Sequence, residues 1–526
     1  MERAASGPRW AIATPHTLAT EAGAVAFERG GNALDAAVAA AVTLAVAYPH
    51  MCGVGGDLFA LVQQPAGDAV AVNASGRAPS GADPVAAAVA GEGTMPQRGP
   101  HSVTVPGAVS GWEALHRLGA SLPWSELFTQ AVALALEGVA VSRSLAATLA
   151  EPDGPRDPSR DPLAAIFAPD GSPLLEGMLV RQPALGATLQ RIAAEGPGAL
   201  YGGEVGERYT AGLAAAGVPI VPEDLAAHRA DLGSPLRARY RDVDVLVHPP
   251  NSQGFLLLEI LATVERLGID PDPLGPSAGT LARLFRAAGR DRDLHLADPD
   301  AMRVHPSTLL DDGHLAALAD EARGGPGGLH AGPNAASGDT IALVAADDEG
   351  RGVSLIQSLF GGFGSGILEP STGIVAHSRG GCFTVDRNHP NVLSPFKRPA
   401  HTLMPVLVQR GGRFEATTGT MGGYGQPQIN AINLIRTFDL DVAAGDAVAM
   451  PRWLVGGMDP GGAEASVLAE AGVPEIVRAS LQEAGFRVDT VGEQDEAVGH
   501  AHLIRLGTAG FTAGADPRSD GDAQAG

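Results

Sequence analysis

Residues 337–362 read SGDTIALVAADDEGRGVSLIQSLFGG, and they mark the change from a helix-rich to a strand-rich part of the chain. From Thr340 onward, β-branched and aliphatic residues predict a strand, and the turn residues Asp347 to Gly350 lead into a second strand that ends in a glycine-rich loop. The C-terminal part of the chain is therefore predicted to be rich in β-structure. Further elements are predicted there as strands at residues 403–408 and 413–418 and as a helix that begins near Pro427.

The residues before this stretch alternate helical patterns with loops. Residues 21–47 divide at Gly30-Gly31, which ends one helix, and the next helix restarts after Asn32, a residue suited to an N-cap. That second helix is apolar nearly all round, so we expect it to be buried in the middle of a layer. A helix-rich first part and a β-rich second part favour one layered α+β fold over independent domains. Helices are also predicted at residues 124–138, 180–215, 255–267 and 279–296, and a strand at 242–248.

The junction before Thr340 allows two interpretations. Residues 323–339, RGGPGGLHAGPNAASGD, have the composition of an interdomain linker. If the Asp339–Thr340 bond were cut, Thr340 would carry a free α-amine, whose ordinary pKa of about 8 suits a base that activates the neighbouring hydroxyl. A threonine at the start of a strand is otherwise ordinary, and from these residues alone the structural interpretation is favoured.

Composition excludes several classes of protein. The 526 residues are 45% apolar, which is enough for a large core, and the net charge of −23 would repel a phosphate backbone, so nucleic-acid binding is not expected. Two cysteines, Cys52 and Cys382, provide neither a disulfide framework nor a zinc cluster. We find no secretory signal at the N-terminus and no apolar run of about 18 residues, so we expect a cytoplasmic protein without membrane contact.

Three short motifs have both chemical and structural interpretations. The GVGGD turn at residues 53–57 lacks the lysine of a phosphate loop and is interpreted as a tight backbone turn. In TGTMGGYG, the amides of Gly422 and Gly423 could form an oxyanion pocket, or the glycines could simply form a turn. The pair His500 and His502 could ligate a metal, but two outward-facing histidines are the favoured interpretation.

Taken together, these segments resemble the γ-glutamyltransferase family of N-terminal-nucleophile hydrolases. The resemblance implies a four-layer αββα sandwich, made as a precursor that cuts itself between Asp339 and Thr340 and needs no cofactor. It divides the chain into residues 1–339 and residues 340–526, two tightly associated products, with residues 323–339 as the tail that cleavage sets free. The oligomeric state stays open, and a homo-oligomer is one possibility. The matching blocks, in family order, include ATPHTLATEAG, GGNALDAAVAAAVTLAVAYPHMCGVGGDLF, TVPGAVSGW, LYGGEVG, VPEDLAAHRA, HPPNSQG, RDLHLADP, the GDT stretch, TGTMGG and ADPRSDG.

The resemblance also implies catalytic roles. Thr340 would be the nucleophile that forms an acyl-enzyme ester, and its freed amine would be the general base. Gly422 and Gly423 match the glycines whose amides stabilise the oxyanion. Ser358 stands where the family has a threonine whose hydroxyl bonds the nucleophile's amine, so the hydroxyl is retained.

Where this sequence departs from the family, it indicates a different substrate. Phe360 and Arg379 replace an Asn and a Gln that grip the γ-glutamyl group, and Cys382 replaces an acidic residue. A substrate α-ammonium group would thus lose its carboxylate partner. His401-Thr402 replaces a Ser pair, and Ser75, with Arg77 two residues later, stands at an Arg position.

We therefore expect a small-molecule substrate that carries its own carboxylate beside the scissile carbonyl. The predicted substrate-binding residues are Arg77, Phe360, Arg379, His401 and Thr402, while Arg379 could instead form a surface or structural ion pair. The motifs YPHMxGxGGD, SGRAP and HTLMP are similar to a divergent branch that includes oxamate amidohydrolases and the carbon–carbon hydrolases of alkylproline antibiotic pathways. Two further functions stay open, namely a true γ-glutamyl hydrolase or transferase and a ligand-binding relative that does not process itself.

Overall fold

The fold is given by a computed structural model that describes residues 3–152, 154–324, 339–458 and 465–526. The predicted linker or tail at residues 323–339 lies almost entirely outside these residues. The strands are β1 (Ala4–Gly7), β2 (Trp10–Thr14), β3 (Asp57–Gln63), β4 (Ala69–Ala74), β5 (Val139–Ala140), β6 (Leu179–Val180), β7 (Asp231–Gly233), β8 (Leu236–Tyr240), β9 (Val243–Val247), β10 (Asp339–Asp347), β11 (Gly352–Phe360), β12 (Ile367–Glu369), β13 (Ile374–Ala376), β14 (Val406–Arg410), β15 (Arg413–Met421), β16 (Trp453–Val455), β17 (Ser466–Glu470), β18 (Arg487–Val491), β19 (His500–Gly507), β20 (Gly510–Ala515) and β21 (Asp522–Ala525).

The helices flank these strands in two layers. They are α1 (Thr17–Glu28), α2 (Ala33–Ala47), α3 (Pro84–Ala90), α4 (Ala108–Arg117), α5 (Thr129–Glu137), α6 (Arg143–Ala150), α7 (Pro162–Phe167), α8 (Pro183–Glu195), α9 (Glu204–Ala215), α10 (Pro222–Ala227), α11 (Phe255–Leu267), α12 (Ala278–His295), α13 (Pro306–Leu309), α14 (Asp312–Ala322), α15 (Gln426–Phe438), α16 (Ala444–Ala449) and α17 (Glu475–Glu483).

Two seven-stranded sheets form the centre of the molecule. Sheet I has the strand order β1-β20-β19-β15-β14-β9-β8, and sheet II has the order β21-β2-β10-β11-β3-β4-β7. The sheets pack face to face through β10, β11 and β15, with α2 and α4 outside sheet II and α11 and α15 outside sheet I. This arrangement is the predicted αββα sandwich. Strands from before and after Thr340 are mixed in both large sheets, so the two parts of the chain share one core. The described residues also form three smaller sheets, β16-β17-β18, β12-β13 and β5-β6.

The predicted helix pair at the N-terminus is confirmed. Asn32 caps α2, and its side chain accepts from the amides of Leu34 and Asp35 while the Asp35 carboxylate accepts from the Asn32 amide. All fifteen residues of α2 are buried, since the helix lies between sheet II and other helices. Alanine predominates there and lets the backbones approach closely.

One predicted strand begins later than expected. The apolar run at 403–408 suggested a strand from Leu403, whereas β14 begins at Val406. The backbone amides just before β14 form hydrogen bonds with side chains instead of with a neighbouring strand. The Leu403 amide donates to His401 Nδ1, and the Met404 amide donates to Gln426 Oε1. Hydropathy alone cannot reveal this competition for backbone donors. Among the described helices, none has both the length and the apolar character that a bilayer crossing requires.

Candidate active site

Thr340 lies at an irregularity in the ladder between β10 and β11. Asp339 is opposite Phe360 and Ile341 is opposite Gln357, so the register shifts across Thr340. The Thr340 side chain is fully buried, and its Oγ1 donates to Ser358 Oγ at 3.1 Å. A bulge redirects a side chain out of the regular pleat, and such features recur next to active sites. The second strand of the opening motif thus places Ser358 against the predicted nucleophile.

Ser358 is the acceptor for several donors around Thr340. The amide of Phe360 donates to Ser358 Oγ at 2.8 Å, and Arg379 Nη2 donates to the same atom at 3.2 Å. Phe360 has φ of +82°, a backbone conformation that costs a bulky side chain about 1–3 kcal/mol. The GVGGD motif forms the predicted tight turn, in which the Gly56 amide donates to the Gly53 carbonyl at 3.0 Å. The turn packs closely against β11, because a Cβ on Gly56 would lie 2.6 Å from the Ser358 carbonyl oxygen.

Arg379 is completely buried beside Ser358. Its Nη1 donates to Thr402 Oγ1 at 3.0 Å and contacts the Cys382 sulfur at 3.7 Å, and its guanidinium carbon lies 4.3 Å from the centre of the Phe360 ring. Within the described residues, Arg379 Nε has no hydrogen-bond partner. The groups bonded to this cation are hydroxyls and a thiol, none of which carries a negative charge. A surface role for Arg379 is therefore wrong.

A buried carboxylate behind this cluster was not predicted from the sequence. Asp57 Oδ2 lies 3.0 Å from His401 Nε2 and 3.6 Å from His377 Nδ1, and Asp57 Oδ1 accepts from the Gly76 amide. Burial favours a raised Asp57 pKa, but His377, the His401 hydrogen bond and Arg379 outweigh it and lower the pKa. The sequence signal that could have indicated this carboxylate is the position of Asp57, directly after the GVGG turn.

His401 is held as a neutral donor. The Leu403 amide donates to His401 Nδ1, so Nε2 carries the ring hydrogen and donates it to Asp57. Burial, with Arg379 next in importance, lowers the pKa of His401 to about 3. Both ring nitrogens of His401 are therefore bonded to other residues of the protein. The adjacent Thr402 accepts a hydrogen bond from Arg379 through its hydroxyl.

The glycine pair Gly422-Gly423 lies at the same end of the sandwich as Thr340. A Cβ on Gly419 would lie 3.1 Å from that of Ala342, and Ser354, which is opposite Val344, donates to the carbonyl of Thr418. Strands β15 and β10 therefore run in opposite directions, and the residues after Met421 approach the start of β10. As predicted, the glycines follow a strand and precede helix α15.

Gln253 connects this glycine turn with the residues around Arg379. Its Nε2 donates to the Thr402 carbonyl at 2.7 Å and to the Gly423 carbonyl at 3.0 Å. Gln253 belongs to the HPPNSQG segment that precedes α11. Gly423 has φ of +50°, which favours glycine at this position. A continuous series of contacts thus links Gly423 to Thr340 through Gln253, Thr402, Arg379 and Ser358.

A cavity of about 400 Å³ adjoins the cluster. Cys382 and Thr402, two of the groups that contact Arg379, form part of its wall. Arg292 and Tyr424 also line the cavity, where Arg292 stacks over the Tyr424 ring at 4.2 Å and the Tyr424 hydroxyl lies 3.9 Å from the Cys382 sulfur. Arg379 itself does not line the cavity, so a small molecule there would contact Cys382 and Thr402, which lie between it and the buried cation.

Arg77 is not brought to this cluster. Its Nη1 lies 3.5 Å from Asp298 Oδ2 and donates to the Phe396 carbonyl at 3.0 Å. Its side chain is 41% exposed in a second depression, of about 520 Å³, which it shares with Arg398 and His228. Substrate binding by Arg77 stays a prediction that no contact near Thr340 supports.

The prediction that His500 and His502 face outward is wrong. Both rings are fully buried with centres 5.8 Å apart, and none of their four nitrogens has a hydrogen-bond partner within the described residues. Strand β19 lies between β15 and β20 in sheet I, and both faces of this sheet are covered. Burial lowers the pKa of His500 to about 4, so both rings are uncharged at neutral pH.

The chain is similar to known proteins over nearly its whole length. The family model Gamma-glutamyltranspeptidase matches residues 19–526. The chain is 37% identical over 524 residues to the oxamate amidohydrolase proenzyme of Klebsiella pneumoniae, with 97% of each chain covered. It is 34% identical over 528 residues to the glutathione hydrolase-like YwrD proenzyme of Bacillus subtilis, with 99% of each covered. The crystal structure of cephalosporin acylase from Bacillus halodurans superposes with a TM-score of 0.89 at 31% identity, over 100% of this chain and 97% of the acylase.

Proposed function

This chain belongs to the gamma-glutamyltranspeptidase family of N-terminal-nucleophile hydrolases, and we propose that it hydrolyses the amide of a small acyl group that carries a carboxylate next to the scissile carbonyl. The observation that carries this proposal is the buried guanidinium of Arg379, which lies 3.2 Å from Ser358 Oγ and has no anionic partner among its hydrogen bonds. Ser358 Oγ is in turn 3.1 Å from Thr340 Oγ1.

The first step of the proposal is activation by self-cleavage. Thr340 Oγ attacks the Asp339 carbonyl carbon, the peptide C–N bond breaks, and the acyl group moves from nitrogen to oxygen as an ester. Water then hydrolyses the ester, which leaves a carboxylate on Asp339 and a free amine on Thr340. The bulge at this position supports the step, because it removes Thr340 from the regular ladder. The products are residues 1–339 and 340–526, whose strands share both sheets.

In turnover, the freed Thr340 amine takes the hydroxyl proton as Oγ attacks the substrate carbonyl. The tetrahedral oxyanion is stabilised by the amides of Gly422 and Gly423, each of which contributes about 3 kcal/mol. Collapse expels the amine with a proton, and water hydrolyses the acyl-Thr340 ester. Ser358 orients the nucleophile through the hydroxyl that already contacts it.

Charge decides the substrate class in this proposal. The Asp57 carboxylate interacts with Arg379 through space but is not among its hydrogen-bond partners, so the buried guanidinium is only partly compensated. A substrate carboxylate forming two parallel hydrogen bonds would complete the pairing. Since Ser358 contacts both Arg379 and Thr340, that carboxylate must lie close to the attacked carbonyl, as in an oxalyl group. A γ-glutamyl group fits poorly, because its α-ammonium would face Arg379 and the thiol of Cys382 instead of a carboxylate.

A substrate panel tests the proposal. Oxamate, whose carboxylate adjoins the amide, is compared with the neutral amide acetamide and with glutathione. Release of ammonia from oxamate at a kcat/KM at least 100-fold above that for acetamide is expected, with no turnover of glutathione. Equal rates for oxamate and acetamide, or release of glutamate from glutathione as the fastest reaction, would overturn the assignment. If the protein does not hydrolyse oxamate but cleaves a carbon–carbon bond next to a carbonyl, amide hydrolysis is wrong. The protein would then act like the carbon–carbon hydrolases of this family.

A further inference from the structure

Away from Thr340, three helices in the layer outside sheet I bring together a second set of polar side chains. Glu259 lies on α11, Asp291 on α12 and His314 on α14. One ligand atom from each residue lies within 4.8 Å of the other two. From this cluster, we propose that the protein binds one divalent cation of the zinc type through Glu259, Asp291 and His314.

The strongest indication is the state of Glu259. Its side chain is fully buried, and within the described residues neither carboxylate oxygen has a hydrogen-bond partner. The surrounding helices supply leucine, isoleucine and alanine side chains. Burying an unpartnered carboxyl is unfavourable, and a bound cation would remove that penalty. Thr263, one helical turn further along α11, also has an unpartnered buried hydroxyl.

The other two residues have suitable geometry. His314 Nε2 lies 3.0 Å from Asp291 Oδ2. Two ligand atoms bound to one zinc ion at about 2.1 Å each stand roughly 3.4 Å apart at a tetrahedral angle, so small side-chain adjustments bring all three atoms into coordination. The His314 side chain is 25% exposed, which gives a cation a route from solvent.

The donor set selects the kind of cation. Magnesium and calcium prefer six to eight oxygen ligands, whereas one imidazole with two carboxylates suits zinc and neighbouring transition ions. Burial and the nearby Asp291 raise the pKa of Glu259 well above its ordinary value, so protonated Glu259 is the competing occupant of this position. Binding of the cation would release that proton.

The position of the cluster gives the cation a structural role. Asp291 is flanked by Arg290 and Arg292, which line the 400 Å³ cavity beside Cys382 and Thr402. A cation that joins α11, α12 and α14 would therefore fix one wall of that cavity without contacting Thr340.

The test uses the full, tag-free protein after removal of metals with a chelator. Titration calorimetry with Zn²⁺ should show one tight site per chain, with a rise of several degrees in the melting temperature and binding of Mg²⁺ and Ca²⁺ at least tenfold weaker. Glu259→Gln and His314→Gln should each weaken Zn²⁺ binding at least 100-fold, while Glu265→Gln, an exposed carboxylate on the same helix, should leave it unchanged.

Stability without metal separates a lost site from a misfolded variant. Glu259→Gln retains the shape of the side chain and removes its charge, so metal-free Glu259→Gln should melt no lower than the metal-free parent. Should Glu259→Gln fail to fold, the partly exposed His314→Gln provides the same test. Uptake of less than one zinc ion per ten chains, or Zn²⁺ binding that neither variant weakens, would overturn the proposal and indicate a protonated Glu259.

Discussion

Thr340 Oγ1 and Ser358 Oγ lie 3.1 Å apart on adjacent antiparallel strands, although the two residues are eighteen positions apart in the chain. A tight turn at Asp347 to Gly350 and a register shift at Thr340 bring the two hydroxyls together. Because Ser358 Oγ also accepts from Arg379, one hydroxyl connects the proposed nucleophile with the proposed anion-binding group.

Ser358→Ala should slow both self-cleavage and substrate turnover. The change removes the hydroxyl that orients Thr340 Oγ1, and losing about 1–3 kcal/mol of such positioning from the barrier corresponds to roughly 5–160-fold in rate. Ser358→Thr keeps the hydroxyl and should remain within a few-fold of the parent. Time courses on denaturing gels measure cleavage. Equal rates for the Ala and Thr variants would contradict this role.

Arg379→Gln should abolish the preference for a carboxylate-bearing substrate. Loss of a buried charge-assisted contact typically costs about 2–5 kcal/mol, so kcat/KM for oxamate should fall by at least 30-fold, while acetamide hydrolysis changes little. Arg77→Gln is the matched control, because this half-exposed guanidinium pairs with Asp298. If Arg77→Gln lowers oxamate turnover as much as Arg379→Gln does, the assignment of the anion site is wrong.

The backbone at Phe360 offers a test of local strain. With φ of +82°, glycine suits the position better than alanine, so Phe360→Gly should exceed Phe360→Ala by about 1 kcal/mol in free energy of unfolding. Both variants lose the same ring, which cancels the packing effect. Urea denaturation in an uncleaved Thr340→Ala background provides the measurement. The usual order, with alanine the more stable, would show that the backbone is unstrained.

His500 should make the protein sensitive to acid. Its pKa is lowered from 6.5 to about 4 in the folded protein, so the unfolded chain binds this proton first as the pH falls. The contribution of neutral His500 to the free energy of unfolding is fully present above pH 6.5. It is lost progressively as the pH falls toward 4, and the total loss from this ring is up to roughly 3 kcal/mol. His500→Gln should flatten the stability curve across that window, whereas the exposed His305→Gln should not. Parallel curves for His500→Gln and the parent would contradict the burial argument.

Local patterns predicted the elements around the site well. Alternation and turn residues located β10 and β11, and the Asn32 cap with its alanine-rich helix located α2. The family resemblance identified five candidate site residues that the structure places in one connected cluster. They are Thr340, Ser358, Phe360, Arg379 and Thr402.

Long-range contacts account for what the sequence could not predict. The carboxylate of Asp57 lies 344 positions from His401 in the chain yet forms a direct hydrogen bond to it. An H-x-H pattern does not reveal that β19 is covered on both faces, which buries His500 and His502. The family resemblance suggested Arg77 because it stands two residues after a substrate-binding position, but Asp298 and the Phe396 carbonyl hold its guanidinium elsewhere.

The most direct test of the account is intact-mass measurement and N-terminal sequencing of the purified protein under denaturing conditions. The wild type should give two chains, one of which begins at Thr340 and comprises residues 340–526, and Thr340→Ala should remain a single chain of 526 residues. Brief exposure to oxamate before quenching should add an acyl group to the chain that begins at Thr340. A wild-type chain that stays uncut after long incubation, or a new N-terminus at any other residue, would contradict the mechanism.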